Sequence, residues 1–141
     1  GVGMASATDY CFATQFASVK LSELAIGIGP FVVGPPIERK IGPSAFSQLT
    51  INATHWHSAE WAREKGLFAE VYDSAEEMDT AILTLAEKLA ASNPDSMRGL
   101  KQVMWEGTNH WDSLLLERAA MSGTRVLSEF TKKTLEKLKK G

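Results

Sequence analysis

The sequence predicts an α/β chain in two parts, a mixed portion over residues 1–73 and an all-helical portion over residues 74–141. Up to Asp73, short runs of aromatic and β-branched residues alternate with glycine and proline, as in short strands and tight turns. From Ser74 on, apolar residues recur at helical spacing. There is no internal repeat and no low-complexity segment. At 141 residues the chain fits one domain or part of a larger one, and can bury a real core.

The elements follow in order. The opening "GVGMASATDYCFAT" starts on Gly1 and Gly3, runs through small helix-forming residues and reaches a strand near Tyr10. A chain that begins this way reads as starting inside a turn. "DYCFAT" and "FASVKL" are expected strands, and a helical pattern runs from Ile37 to Leu49. It breaks at "IGPSA", where Gly42 ends one helix and Pro43 permits the next. "SAEWAREKGL" is a helix from a Ser58 cap to a Gly66 stop, and "LFAEVYD" is a strand.

The second part opens on Ser74 and Glu77, spaced as a capping box. Met78, Ile82, Leu85 and Leu89 then form one apolar stripe. Asn93 and Pro94 start the next helix, with Met97, Leu100 and Met104 expected to face inward. "WDSLLLERAAMSGTRVL" is a third helix and "TKKTLEKLKK" a short basic one. Helices with such wide apolar faces need another surface to cover, either the first part or another copy of the chain.

Composition narrows the function. Hydrophobic residues are 44% and charged residues 23%, ordinary for a globular chain. A net charge of −2 lacks the basic excess of a nucleic-acid binder. One cysteine, Cys11, excludes an internal disulfide framework and fits a reducing compartment. No apolar run has the length of a membrane span, and the first residues show no basic-then-apolar signal pattern. The expectation is a soluble, cytoplasmic chain with no nucleic-acid or membrane partner.

Few residues offer chemistry. "GIGPFVVG" lacks the GxGxxG spacing, and Pro30 removes an amide that a phosphate loop would use. His55 and His57 stand two apart with no third ligand near, so no metal site is expected and a solvated or capping role is. His110 reads as a loop or helix-cap residue, and Cys11 as a small core residue without a nearby histidine. Lysines 132, 133, 137, 139 and 140 form a solvated face, or an anchor for phosphate. Glu23 is different, because it sits in the apolar stretch "VKLSELAIGIGP" just after a strand. It is either a surface carboxylate at a strand end or an acid in apolar surroundings, where burial favours proton exchange.

Five stretches, "GVGMASATDYCFAT", "FASVKLSELAIGIGP", "IERKIGPSAFSQL", "SAEWAREKGLFAEVY" and "NPDSMRGLK", together resemble the crotonase (enoyl-CoA hydratase/isomerase) superfamily. They come in its order and at its spacings, over essentially the whole chain. The resemblance implies a crotonase-like ββα spiral core, of which residues 1–73 are the C-terminal portion, followed by a helical trimerisation segment over 74–141. In the family a glycine-rich turn and a short helix precede the strand matching "DYCFAT". An N-terminal half would carry most of the core sheets and the first oxyanion-hole amide. The second such amide falls on the residue before Gly1, or on Gly1 itself.

The resemblance also implies a substrate, an acyl-CoA thioester, and no permanently bound cofactor. Family hydratases use two glutamates. The second aligns on Glu23, after Ser22 where the family often has proline; the first aligns on Gly3, which has no side chain. Isomerases manage with the one matching Glu23, and "GIGPFVV" looks more like the mitochondrial-type enoyl-CoA isomerases. Phe130 and Lys133 align with residues that approach coenzyme A bound in a neighbouring subunit of a trimer or dimer of trimers. Three functions are therefore expected to compete. They are a 3-enoyl-CoA to 2-enoyl-CoA isomerase with Glu23 as single acid/base, a 2-enoyl-CoA hydratase with a second carboxylate from the N-terminal half, and a non-catalytic assembly protein. The chain by itself is expected to be inactive.

Overall fold

The computed structural model describes residues 1–140. A short helix α1 (Val2–Ser6) leads into strand β1 (Phe12–Thr14) and then strand β2 (Ser18–Val19). A 3-10 turn over Leu24–Ile26 follows, then helix α2 (Gly34–Ile51), strand β3 (His57–Ser58), helix α3 (Ala59–Glu64) and strand β4 (Glu70–Tyr72). Four helices complete the chain: α4 (Ala75–Ala90), α5 (Pro94–Met104), α6 (Trp111–Val126) and α7 (Glu129–Lys140). Strands therefore stop before residue 73, as the composition shift implies.

The strands form two small ladders. β1 runs parallel to β4, pairing Phe12 with Glu70 and Thr14 with Tyr72. β2 runs antiparallel to β3, pairing Ser18 with Ser58 and Val19 with His57. A parallel pair needs a long crossover, and here α2 and α3 supply it. Both strands are shorter than the apolar runs that announce them, because "DYCFAT" and "FASVKL" pair only where β4 and β3 lie alongside.

Helix α2 organises the core. Ile37, Ile41, Ala45 and Leu49 are buried at four-residue spacing along one face. That stripe survives a kink at Gly42, whose φ of 76° and ψ of 164° are non-helical and suit glycine. The helix begins three residues before Ile37, since Pro35 and Pro36 occupy its first turn, where the missing amide costs nothing. The α2 face packs on Val19, Leu21, Ala59, Ala62, Leu67 and Phe68. Helix α3 starts where Ser58 Oγ accepts from Trp61 N at 3.2 Å, and Gly66 stops it at φ 81°.

The later helices are capped as their sequence announces. Ser74 Oγ accepts from Glu77 N at 3.2 Å, and Asn93 Oδ1 accepts from Asp95 N and Ser96 N. Their burial differs from expectation. Met97, Leu100 and Met104 remain 37%, 58% and 39% exposed, so that face of α5 does not point inward. The cause is how α5 attaches, through polar groups at its end rather than through its apolar stripe. Trp105 Nε1 donates to Asp9 Oδ1 at 2.6 Å, Lys101 Nζ meets Asp9 Oδ2 at 2.5 Å, and the Arg39 guanidinium lies 4.2 Å over the Trp105 ring. Ile82 and Leu89 of α4 are likewise partly open. Among the described residues, no helix is long and apolar enough to cross a membrane.

Candidate active site

Glu23 enters the fold at a fixed corner. Val19 and Leu21 point into the core at 5% and 4% exposure, which leaves Ser18, Lys20 and Ser22 on the opposite face. Glu23 then starts the 3-10 turn, and its carbonyl accepts from Ile26 N at 3.2 Å and Ile28 N at 3.0 Å. Gly27 closes the turn at φ 83°. A side chain there would strain the backbone and would also strike the Phe130 ring. Fully buried Thr131 crowds the same point. Helix α7 is thus seated on the turn that carries Glu23.

Glu23 lines an open pocket of about 590 Å³ together with Gly1, Gly3, Lys20, Trp56 and Phe68. It is half-buried, and its Oε2 is buried without a protein hydrogen-bond partner. An acceptor-only group left in that state is costly in a folded protein and marks a place for a proton or a donor. It is also the pocket's single carboxylate. Across the pocket, Gly1 caps α1, and the first amides of a helix have no intrahelical acceptor. Glu23 and the N-terminal end of α1 at Gly1 therefore line one cavity.

Gly3 sits tightly against Val33. A Cβ built there lies 2.9 Å from Val33 Cγ1 and 3.3 Å from Val33 Cβ. Position 3 thus offers no carboxylate, and a side chain there needs Val33 to give way.

The other expected residues stand elsewhere. Phe130 is 65% exposed, with its ring against Gly27 of its own chain, but neither it nor Lys133 lines the Glu23 pocket. His57 stacks on Trp61 at 4.0 Å and meets His55 edge-on at 4.7 Å. Burial, with the His55 charge behind it, pushes the His57 imidazole below its ordinary pKa. Among the described residues, no group of three metal-ligating side chains forms. His110 precedes α6 without a side-chain cap bond. Cys11 is half-buried, and burial pushes its thiol up, away from the thiolate range. Lys140 and its basic neighbours close α7.

Two pocket residues, Lys20 and Trp56, were not singled out by the sequence. The Lys20 ammonium lies 4.2 Å over the Trp56 ring. The signal was present in the alternation "SVKLS", which puts Lys20 on the face opposite the buried Val19 and Leu21.

Residues 1–140 match the family "Enoyl-CoA hydratase/isomerase". The chain is 31% identical over 108 residues to the peroxisomal Delta(3,5)-Delta(2,4)-dienoyl-CoA isomerase of Arabidopsis thaliana, covering 74% of this chain and 37% of that protein. It is 35% identical over 104 residues to the bacillaene synthase dehydratase PksH of Bacillus subtilis, covering 74% and 39%. Among solved structures, an enoyl-CoA hydratase/isomerase from Pseudoalteromonas atlantica superposes with a TM-score of 0.88 at 16% identity, over 99% of this chain and 56% of that one. The Bacillus subtilis PksH crystal structure superposes with a TM-score of 0.72 at 28% identity, over 94% and 50%. The chain thus spans about half the length of the solved structures and less of the curated relatives. The fold is crotonase-like, and the chain belongs to the enoyl-CoA hydratase/isomerase family.

Proposed function

We propose that the pocket isomerises an acyl-CoA thioester, moving a double bond from position 3 to position 2, with Glu23 as the single acid and base. Glu23 removes a proton from the α-carbon, and the electron pair passes into the thioester carbonyl as an enolate. The glutamic acid then returns the proton at the γ-carbon, the double bond settles between the α- and β-carbons, and Glu23 is a carboxylate again. Amides of the turn at Gly1 donate to the enolate oxygen; one such donor contributes about 3–4 kcal/mol. The observation that carries the reading is the buried, unpartnered Glu23 Oε2 in a pocket with no second carboxylate. No cofactor is needed, because the thioester itself acidifies the α-proton.

The rest of the active site is proposed to come from the half of the fold that the full-length relatives possess and this chain does not span. The exposed faces of α4 to α6 are proposed to meet neighbouring copies in a trimer. Phe130 and Lys133 then approach coenzyme A, with the Lys133 ammonium against a phosphate.

A second reading, hydration or dehydration across a 2-enoyl double bond, is favoured by the 35% identity to a dehydratase. It requires a second carboxylate from outside this chain, since position 3 offers none.

Glu23→Gln tests the reading. Deuterium exchange at the α-carbon of a 3-enoyl-CoA, followed by mass spectrometry, should fall about a hundred- to ten-thousand-fold while the thioester still binds. Exchange at the wild-type rate removes Glu23 from the reaction. A gain of one water on 2-enoyl-CoA moves the assignment to hydration. Assembly without either reaction leaves a non-catalytic protein.

A further inference from the structure

Lys20 is a cation in a pocket whose remaining side chains are mostly apolar. Val2, Val33 and Phe68 line the walls, and the Lys20 ammonium sits at one side, 4.2 Å over the Trp56 ring. Among the described residues, no carboxylate pairs with Lys20; the four ion pairs use Arg63, Arg98, Lys101 and Lys132. Glu23 lines the same pocket but forms no ion pair with Lys20. Filling this pocket with a plain hydrocarbon chain strips water from the ammonium and returns nothing. An acyl chain ending in an anion replaces that water with a charge-assisted hydrogen bond.

We propose that Lys20 selects acyl thioesters whose far end carries a carboxylate, with Trp56 holding the ammonium over the pocket mouth. This rests on the assignment of the Glu23 pocket as the acyl site and names the class of acyl group. A phosphate of coenzyme A offers the same negative charge. Lys20 favours the acyl end, because it shares the cavity of Glu23, where the reacting carbons have to lie.

The test compares 3-hexenoyl-CoA with 3-hexenedioyl-CoA, two chains of equal length that differ at the far end. Their dissociation constants are measured by titration calorimetry on the wild type, Lys20→Gln and Lys20→Glu, with the fold of each variant checked by circular dichroism. α-Proton exchange is recorded on the same samples. The wild type should bind the dicarboxylic thioester about tenfold more tightly. Lys20→Gln should narrow that preference to within about twofold, and Lys20→Glu should reverse it.

Equal affinity for the two thioesters in a wild type that still exchanges the α-proton overturns the proposal and leaves Glu23 in place. An equal weakening of both by Lys20→Gln overturns it too, and assigns the lysine to coenzyme A phosphate. Failure of the wild type to bind either thioester overturns both this proposal and the acyl-site assignment.

Discussion

In the first half of the chain Ile37, Ala62 and Leu67 have no exposed surface, while in the second Leu116 and Leu127 keep 75% and 70% of theirs. The contrast is one of partners, not of composition. Helix α2 finds β2, α3 and the loop after Gly66 within the chain, so its apolar stripe closes a core. Helices α4, α5 and α6 carry stripes of similar spacing, yet α4 lies along β1 and β4, α5 is tied by its polar end to Asp9, and α6 meets α7. Among the described residues of the second half, Thr131 alone is fully buried, at the seat of α7 on the Glu23 turn. The first half also leaves Met4, Phe16 and Ile51 bare at its rim. Residues up to 73 hold themselves together and carry the pocket, whereas the later helices present surface.

The strongest way to break the contrast is in the core. Ile37→Ala or Leu67→Ala empties a fully buried site and should cost about 2–5 kcal/mol, read as a lowered urea midpoint. A loss below about 1 kcal/mol would mean that the first half has no tighter core than the second.

The next effect concerns the clamp between the halves. The hydrogen bond from Lys101, helped by Trp105, holds the Asp9 carboxyl below its ordinary range despite the opposing cost of burial. A carboxylate lowered on folding stabilises the native state above its unfolded pKa, and that contribution fades as pH falls through the lower, folded value. Asp9→Asn should therefore cost about 1 kcal/mol at pH 7 and flatten the decline in stability below about pH 4, as followed by Trp fluorescence. The pair is partly exposed, which keeps the effect modest. A wild type and variant that lose stability in parallel down to pH 2 would show that the clamp contributes nothing.

The smallest expected effect is on the open face of α5. Leu100→Ser should change the stability of the isolated chain by less than about 0.5 kcal/mol, because the side chain is already 58% exposed. Sedimentation velocity on the same variant sharpens the comparison. A wild type that associates while Leu100→Ser does not would identify that face as a contact surface.

What the sequence made legible follows the same division. Local signals held wherever one residue decides the matter: Ser58 and Asn93 cap, Gly42 breaks α2, and Gly66 ends α3. Glu23 was legible because a carboxylate among "VKLSELAIGIGP" has few reasons to be there, and it does line the pocket. Strand lengths were less legible, since pairing partners set them and β2 finds only two residues of β3. The inward face expected for Met97, Leu100 and Met104 failed because periodicity reports which residues share a side, not whether anything covers it. Lys20 escaped notice because its place in the pocket is shared with Trp56, thirty-six positions along the chain. The pairing of α7 with the Glu23 turn, through Phe130, Thr131 and Gly27, likewise joins distant segments that no local pattern connects.

The contact between Gly3 and Val33 decides how readily a side chain enters at position 3. A glutamate introduced at position 3 brings its first carbon to 2.9 Å from Val33 Cγ1, so the valine has to shift to accommodate it. Val33→Ala removes the Cγ1 contact and leaves its own Cβ at 3.3 Å, a tight fit rather than a clash. The two changes are unequal in order, with the glutamate easier to accommodate second than first. Placing a second carboxylate beside Glu23 is therefore a two-position problem, and an engineer attempting it should begin at position 33.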